Sequence, residues 1–186
     1  MNALVDYTFQ DSIGGWKKWR FTKLLISSNA SCVLPLFRCC QYLKVKESIL
    51  YKCLYIILNK KYNRLCSSLN VYLPIDTKIG KGCLFPHNFP LVINPEAIIG
   101  SNCIIHPCAL IGRDRGKHGA PVIGNNCFIG HGSKIIGNPR IGDWTFISPG
   151  AIVTKDIPES SLVGAGVNNI ISCLGKKHVE LYLPKR

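Results

Sequence analysis

Aliphatic or aromatic residues recur every six positions along the second half of the chain: Ile79, Phe85 and Leu91, then, after a two-residue slip, Ile99, Ile105 and Ile111, and then Ile123, Ile129, Ile135, Ile141, Ile147 and Val153. Six is neither the 3.6-residue period of a helix nor the alternation of a simple strand. Gly follows the apolar residue at 80, 100, 112, 124, 130 and 142, and small residues stand four positions after it at Cys83, Cys103, Ala109, Cys127, Ser133, Thr145 and Ala151. A hexapeptide repeat of this kind predicts a parallel β-helix: each short strand turns one aliphatic side chain inward, and the corners between strands admit only small residues or Gly. Between Ile111 and Ile123 the repeat is interrupted by Gly112 to Pro121, GRDRGKHGAP, which reads as an exposed loop. Past Val153 the run KDIPESS predicts the end of the last coil.

The first seventy residues have a different period. Ile49, Leu50, Cys53, Leu54, Ile57, Leu58 and Leu65 are spaced by three, four and seven, which predicts an amphipathic helix over Lys44 to Leu69 with Lys60, Lys61 and Arg64 on its polar side. A shorter helix is predicted over Leu34 to Leu43, with Pro35 in its first turn. The expected organisation is a basic helical segment over 1–70, a β-helix over 71–171 and a basic tail over 172–186.

Composition narrows the function. The chain has 186 residues, is 47% hydrophobic and carries a formal charge of +13, which suits an anionic partner. Residues 1–70 hold eleven Lys and Arg against three acids, the remainder twelve against seven. The ten cysteines form no C-x-x-C pair, so a zinc module is not expected, and the corner cysteines read as small buried hydrophobes rather than catalytic thiols. The N-terminal stretch has an acid before any basic residue and no apolar h-region, so a cytoplasmic location with free thiols is expected. The most apolar stretches, Leu24 to Phe37 and Ile49 to Leu58, are interrupted and shorter than a membrane span. No phosphate-binding loop, dinucleotide fingerprint or serine elbow is present, and no nucleic-acid-binding signature accompanies the charge.

Of five histidines, His87 stands out. It lies in CLFPHNFPLVINPEAIIG, where Pro86, Phe89 and Pro90 predict a stiff apolar setting around one titratable group, as suits a general base. This stretch, with APVIGNNCFIGHGSKIIG and IGDWTFISPGAIVTKDIP, resembles the hexapeptide acyltransferases of the serine acetyltransferase type, and in particular their shorter relatives that O-acetylate bacterial polysaccharides. The resemblance covers roughly residues 70 to 172. It implies a left-handed parallel β-helix, a homotrimer with acetyl-CoA in a groove between subunits, and a catalytic His at that groove, with no metal. His87 falls on that catalytic His. The family's aspartate partner falls on Tyr72, with Asp76 close by but out of register. The family's second His falls on Ala120, and His118 in the loop is the substitute candidate. The resemblance further implies CoA contacts at Gly132, Ser133, Gly150, Ala151 and Lys155, and at Gly164 and Asn168, where the family's element appears as GAGVN.

The expected function is therefore transfer of an acetyl group from acetyl-CoA to a hydroxyl of a surface-polysaccharide sugar or its precursor. The alternative is serine O-acetylation in cysteine biosynthesis. In the serine enzymes an acid before the catalytic His and an Arg in the loop resemble a clamp for a zwitterion, whereas Pro86 and Gly119 occupy those places here, with Arg113, Arg115 and Lys117 as replacement cations. A zinc enzyme built on His106 and His131 is disfavoured by their spacing of 25. A non-catalytic trimer has no need of a His in the Pro-rich corner. The basic N-terminal segment, with Lys17, Lys18, Arg20 and Lys23 beside Trp16 and Trp19, is a candidate for peripheral contact with the anionic inner face of the membrane.

Overall fold

The computed structural model describes residues 33–87, 90–114 and 119–183. Among the described residues two helices come first, α1 (Val33–Lys44) and α2 (Ile49–Ser68), packed against each other. Short strands follow: β1 (Val71–Tyr72), β2 (Lys78–Ile79), β3 (Leu91–Ile93), β4 (Ile98–Ile99), β5 (Ile104–Ile105), β6 (Leu110–Gly112), β7 (Val122–Ile123) and β8 (Phe128–Ile129). The series continues with β9 (Lys134–Ile136), β10 (Arg140–Ile141), β11 (Phe146–Ile147), β12 (Ala151–Val153), β13 (Leu162–Val163), β14 (Gly166–Val167) and β15 (Ile170–Ser172), and closes with helix α3 (Gly175–Glu180).

The strands form a three-sided prism. One sheet has the order β1-β3-β6-β9-β12-β14, the second β2-β4-β7-β10, and the third β5-β8-β11-β13-β15. All pairs are parallel except β13–β15. The chain visits the three sheets in turn, so each circuit places a strand beside the equivalent strand of the circuit before. The six-residue apolar positions point inward as expected: Ile79, Ile99, Ile123 and Ile141 from the second sheet and Phe85, Ile105, Ile129 and Ile147 from the third are buried. Buried Cys83, Cys103 and Cys127 stack at one corner, each directing its Sγ at a carbonyl of the next coil, those of Gly100, Gly124 and Gly142, at 3.2 to 3.3 Å. Hydrogen bonding among these thiols, then burial, pushes the Cys103 thiol well above its ordinary range, which fits a packing role rather than a nucleophile.

Three details differ from the sequence expectation. The two-residue slip does not follow Leu91. Ile93 pairs with Ile111 on the first sheet and Leu84 bridges Ile104 on the third, so the extra residues lie in the corner between Phe85 and Ile93. The winding also does not stop after Val153, since Ile157 bridges Ile141 and β13 pairs with β11. The expected basic tail contains α3, whose Val179 is fully buried against Leu84, Ile104, Phe128 and Phe146 on the outside of the third sheet.

The helices cap the first coil, whose strand edges would otherwise leave carbonyls without partners. Arg38, 4% exposed, donates to the carbonyls of Ile79 at 2.7 Å and Gly80 at 2.6 Å. Gln41 donates to those of Ile75 and Thr77, and the buried Tyr62 hydroxyl donates to that of Leu73. The inward stripe of α2 is Leu58, Tyr62, Leu65 and Cys66. That corrects the predicted stripe, because Ile49, Leu50, Cys53 and Ile57 face solvent.

Candidate active site

The extra residues between Phe85 and Ile93 decide where His87 stands. Elsewhere the corner from the third sheet to the first is made by a short link such as His106–Ala109 or Gly130–Ser133, held by coil-to-coil hydrogen bonds. The corner after Phe85 is two residues longer than these, and His87 lies on it, exposed. Of the apolar enclosure predicted around it, Pro86 is half-buried and Pro90 exposed, and Phe89 lies outside the described residues.

Two further histidines share this corner. The register Leu84, Ile104, Phe128 along the third sheet makes Pro107 and His131 the positional equivalents of His87 on the next two coils, and His106 precedes Pro107. The His87 and His106 rings lie edge to face at 6.4 Å between centroids, and His106 in turn lies 4.8 Å from the Phe128 ring. Burial, followed by the charges of His87 and His131, lowers the His106 pKa, so its ring is neutral at neutral pH. Neither His106 nor His131 was chosen as an acyl-transfer residue from sequence. Separations of 19 and 25 hide their alignment unless the two insertions in the repeat are placed correctly. Among the described residues no group of three or more His, Cys, Asp or Glu side chains is arranged to hold a metal.

The residues proposed to contact CoA divide between two corners. Gly132 and Gly150 follow His131 and Pro149 at the histidine corner, with φ of +66° and +72°, and a Cβ at either would meet nothing within 4 Å. The left-handed backbone rather than lack of room favours Gly there, and it leaves an open backbone shelf beside His131. Cys108 holds the same place one coil earlier with φ of +60°. Ser133 and Ala151 are fully buried, and the Ser133 hydroxyl donates to the Gly130 carbonyl at 2.8 Å, so neither is open to a ligand in the single chain.

Lys155 and Asn168 lie at the following corner, beyond the end of β12. Asn168 accepts there from the backbone N–H groups of Thr154 and Lys155 at 2.7 and 3.2 Å. Gly164 is buried beneath Ile171, whose Cδ1 would lie 2.3 Å from an added Cβ. Both Gly164 and Asn168 thus have packing duties of their own.

The remaining candidates are not assembled at His87. Asp76 forms its ion pair with Lys44 of α1, an interaction that raises the Lys44 pKa. Arg113, a proposed replacement cation, pairs with Glu96 at 3.2 Å. The loop after β6 leaves from the corner between the first and second sheets, whereas His87 occupies the corner between the third and first. His118, Arg115 and Lys117 lie outside the described residues, as do Phe89 and the N-terminal cations Lys17, Lys18, Arg20 and Lys23.

Comparison with known proteins agrees with this architecture. Residues 120–155 match the family described as bacterial transferase hexapeptide (six repeats). A serine acetyltransferase of Synechococcus elongatus is 32% identical over 88 residues, 46% of this chain and 36% of the relative. The bifunctional protein GlmU of Aquifex aeolicus is 34% identical over 106 residues, 56% of this chain and 22% of the relative. The crystal structure of Brucella abortus serine acetyltransferase in complex with coenzyme A superposes with a TM-score of 0.68 at 21% identity, covering 92% of this chain and 67% of that one. The chain spans well under half the length of these two sequence relatives.

The fold is thus a left-handed parallel β-helix built from hexapeptide repeats. Within that class, its likeness is to the hexapeptide-repeat acyltransferases of the serine acetyltransferase type, in sequence over the coils and in fold over the helices as well.

Proposed function

We propose that this protein is an acetyl-CoA-dependent O-acetyltransferase acting by direct transfer, with His87 as general base. The observation that carries the reading is that exposed His87 shares one corner of the prism with the open backbone at Gly132 and Gly150, two and three coils further on. An alcohol is a weak nucleophile at neutral pH. Neutral His87 takes its proton as the oxygen attacks the thioester carbonyl, a contribution of roughly 100- to 10,000-fold. The tetrahedral centre then collapses with CoA thiolate as leaving group, and the imidazolium returns a proton to it. Backbone N–H groups at the corner are the available donors for the oxyanion.

The working form in this reading is a homotrimer. Its support is the division of the candidate residues: the loop that carries His118 leaves from one corner of the prism and His87 stands at another. A neighbouring copy supplies the loop, and with it His118, across the groove in which acetyl-CoA lies. The acceptor favoured by the relatives is serine, since the sequence and structural neighbours include proteins named serine acetyltransferase. A sugar hydroxyl is the second reading, favoured by Pro86 and Gly119 where the serine enzymes resemble one another in an acid and an Arg.

Thiol release from acetyl-CoA by the purified chain tests the proposal, with L-serine and with sugar acceptors supplied separately. Serine-dependent release that disappears in His87→Ala is expected. Release with sugars alone selects the second acceptor, and release unchanged in His87→Ala overturns the mechanism.

A further inference from the structure

Helix α2 presents an outward face with a composition unlike an ordinary solvated surface. At 100° per residue, Ile49, Cys53, Ile56, Ile57, Lys60 and Arg64 fall on the side opposite Leu58, Tyr62 and Leu65. The inward residues are buried. Ile49 is 76% exposed, Leu50 71%, Ile56 63% and Ile57 60%, and Cys53 is exposed beside them. Val45, in the turn before the helix, is also exposed. The first half of the outer stripe is therefore apolar over more than two turns, and the second half carries Lys60 and Arg64. Lys52 and Lys46 flank the apolar part, with Lys46 lying over the Tyr42 ring at 4.8 Å. The helix contains no Asp or Glu, and Glu47 just before it is the nearest acid in sequence.

We propose that this face of α2 docks on an anionic lipid surface, lying in the plane of the interface with Ile49, Leu50, Ile56 and Ile57 inserted and Lys52, Lys60 and Arg64 at the headgroup phosphates. Charge complementarity selects this occupant. A second copy that pairs its α2 with this one offers the same two halves: in parallel, Lys60 and Arg64 meet their own like, and antiparallel they meet isoleucines, with no carboxylate from the helix in either arrangement. A lipid surface with acidic headgroups answers both halves at once, hydrocarbon for the isoleucines and phosphate for the cations. None of the described helices is long and apolar enough to cross a membrane, so the contact is peripheral. The residues of this site are other than the N-terminal cations Lys17, Lys18, Arg20 and Lys23, which lie outside the described residues.

Co-sedimentation of the full chain with vesicles tests the proposal, using phosphatidylcholine alone and phosphatidylcholine mixed with phosphatidylglycerol. Binding to the mixed vesicles is expected, and the pair Ile56→Ser with Ile57→Ser should weaken it by at least about tenfold. The pair Lys60→Gln with Arg64→Gln should weaken it by about tenfold and remove most of its salt sensitivity. Far-UV circular dichroism verifies that α2 is intact in each variant. Undiminished binding by both pairs overturns the proposal, as does loss of binding only on changing Lys17, Lys18, Arg20 and Lys23 to Gln. Absence of vesicle binding, together with a smaller assembly in light scattering for the serine pair, overturns it in favour of a second copy as occupant.

Discussion

The helical hairpin and the β-helix bury apolar surface in different ways, and the difference separates packing from function. In the β-helix each inward isoleucine is enclosed by equivalent residues on the coils before and after it, so Ile105, Ile111, Ile129, Ile135 and Ile147 are essentially fully buried within one chain. In the hairpin α1 is buried along most of its length, yet α2 buries only Leu58, Tyr62, Leu65 and Cys66. A periodic core closes on itself. A helix laid across the end of a prism is covered on one side only, and whatever lies on its other side must be explained by something outside that core.

The contrast can be broken at several points. The largest stability loss is expected inside the coils: Ile129→Ala or Ile135→Ala should cost about 2–5 kcal/mol in chemical denaturation, because stacked coils cannot collapse into the cavity. A cost near zero would mean that the prism is less tightly filled than its burial indicates. In activity the largest change is expected at the corner, where His87→Ala should lower kcat for acetyl transfer by at least about a hundredfold with thermal stability unchanged, since His87 is exposed. His118→Ala should have a smaller effect, mainly on acceptor KM. Equal losses from both would point to a two-histidine site.

At the junction of the two regions, Arg38→Ala should cost about 1.5–3 kcal/mol, as it leaves the Ile79 and Gly80 carbonyls without their charged donor. A cost within about 0.5 kcal/mol would show that the hairpin is not needed to cap the coils. Ile56→Ser on the outer stripe of α2 should fall within that same narrow range, read by denaturation.

The smallest effect expected is a pH dependence from His106. Its folded pKa is depressed, first by burial and then by His87 and His131, so between that value and the ordinary imidazole range the unfolded chain binds more protons than the folded one. Stability from this group is therefore present above the ordinary range and declines as pH falls through it toward the folded value. Replacing His106 by Gln should flatten the stability profile on the acidic side. An unaltered profile would assign the acid sensitivity to other groups.

Much of the prism was legible because its signal is repeated. Any one hexapeptide is weak, but the recurrence from Ile79 to Val153 admits few other structures, and the small corner residues such as Cys103 and Cys127 agree with it. The position of the slip was not legible: Leu91 and Ile93 are both aliphatic and both buried, so periodicity alone cannot say which takes the main inward place. That ambiguity hid the longer corner at His87 and the alignment of His131. The orientation of α2 was misjudged for a related reason, since Ile49, Leu50, Cys53 and Ile57 have the spacing of a buried stripe whether they meet a core or something else.

The sequence by itself determined the six-residue winding, the inward isoleucines and the small-residue corners, because each depends on local spacing and on which side chains fit a short strand or a tight turn. Only the tertiary structure decided that His87 shares a corner with His106, His131 and the open glycines. It alone paired Asp76 with Lys44, seated Arg38 under the first coil and turned the apolar half of α2 outward. These outcomes depend on contacts between residues far apart in the chain, such as Arg38 with Ile79 and Gly80. There a buried cation is stabilised by carbonyls that exist as a pair only once the coil has closed.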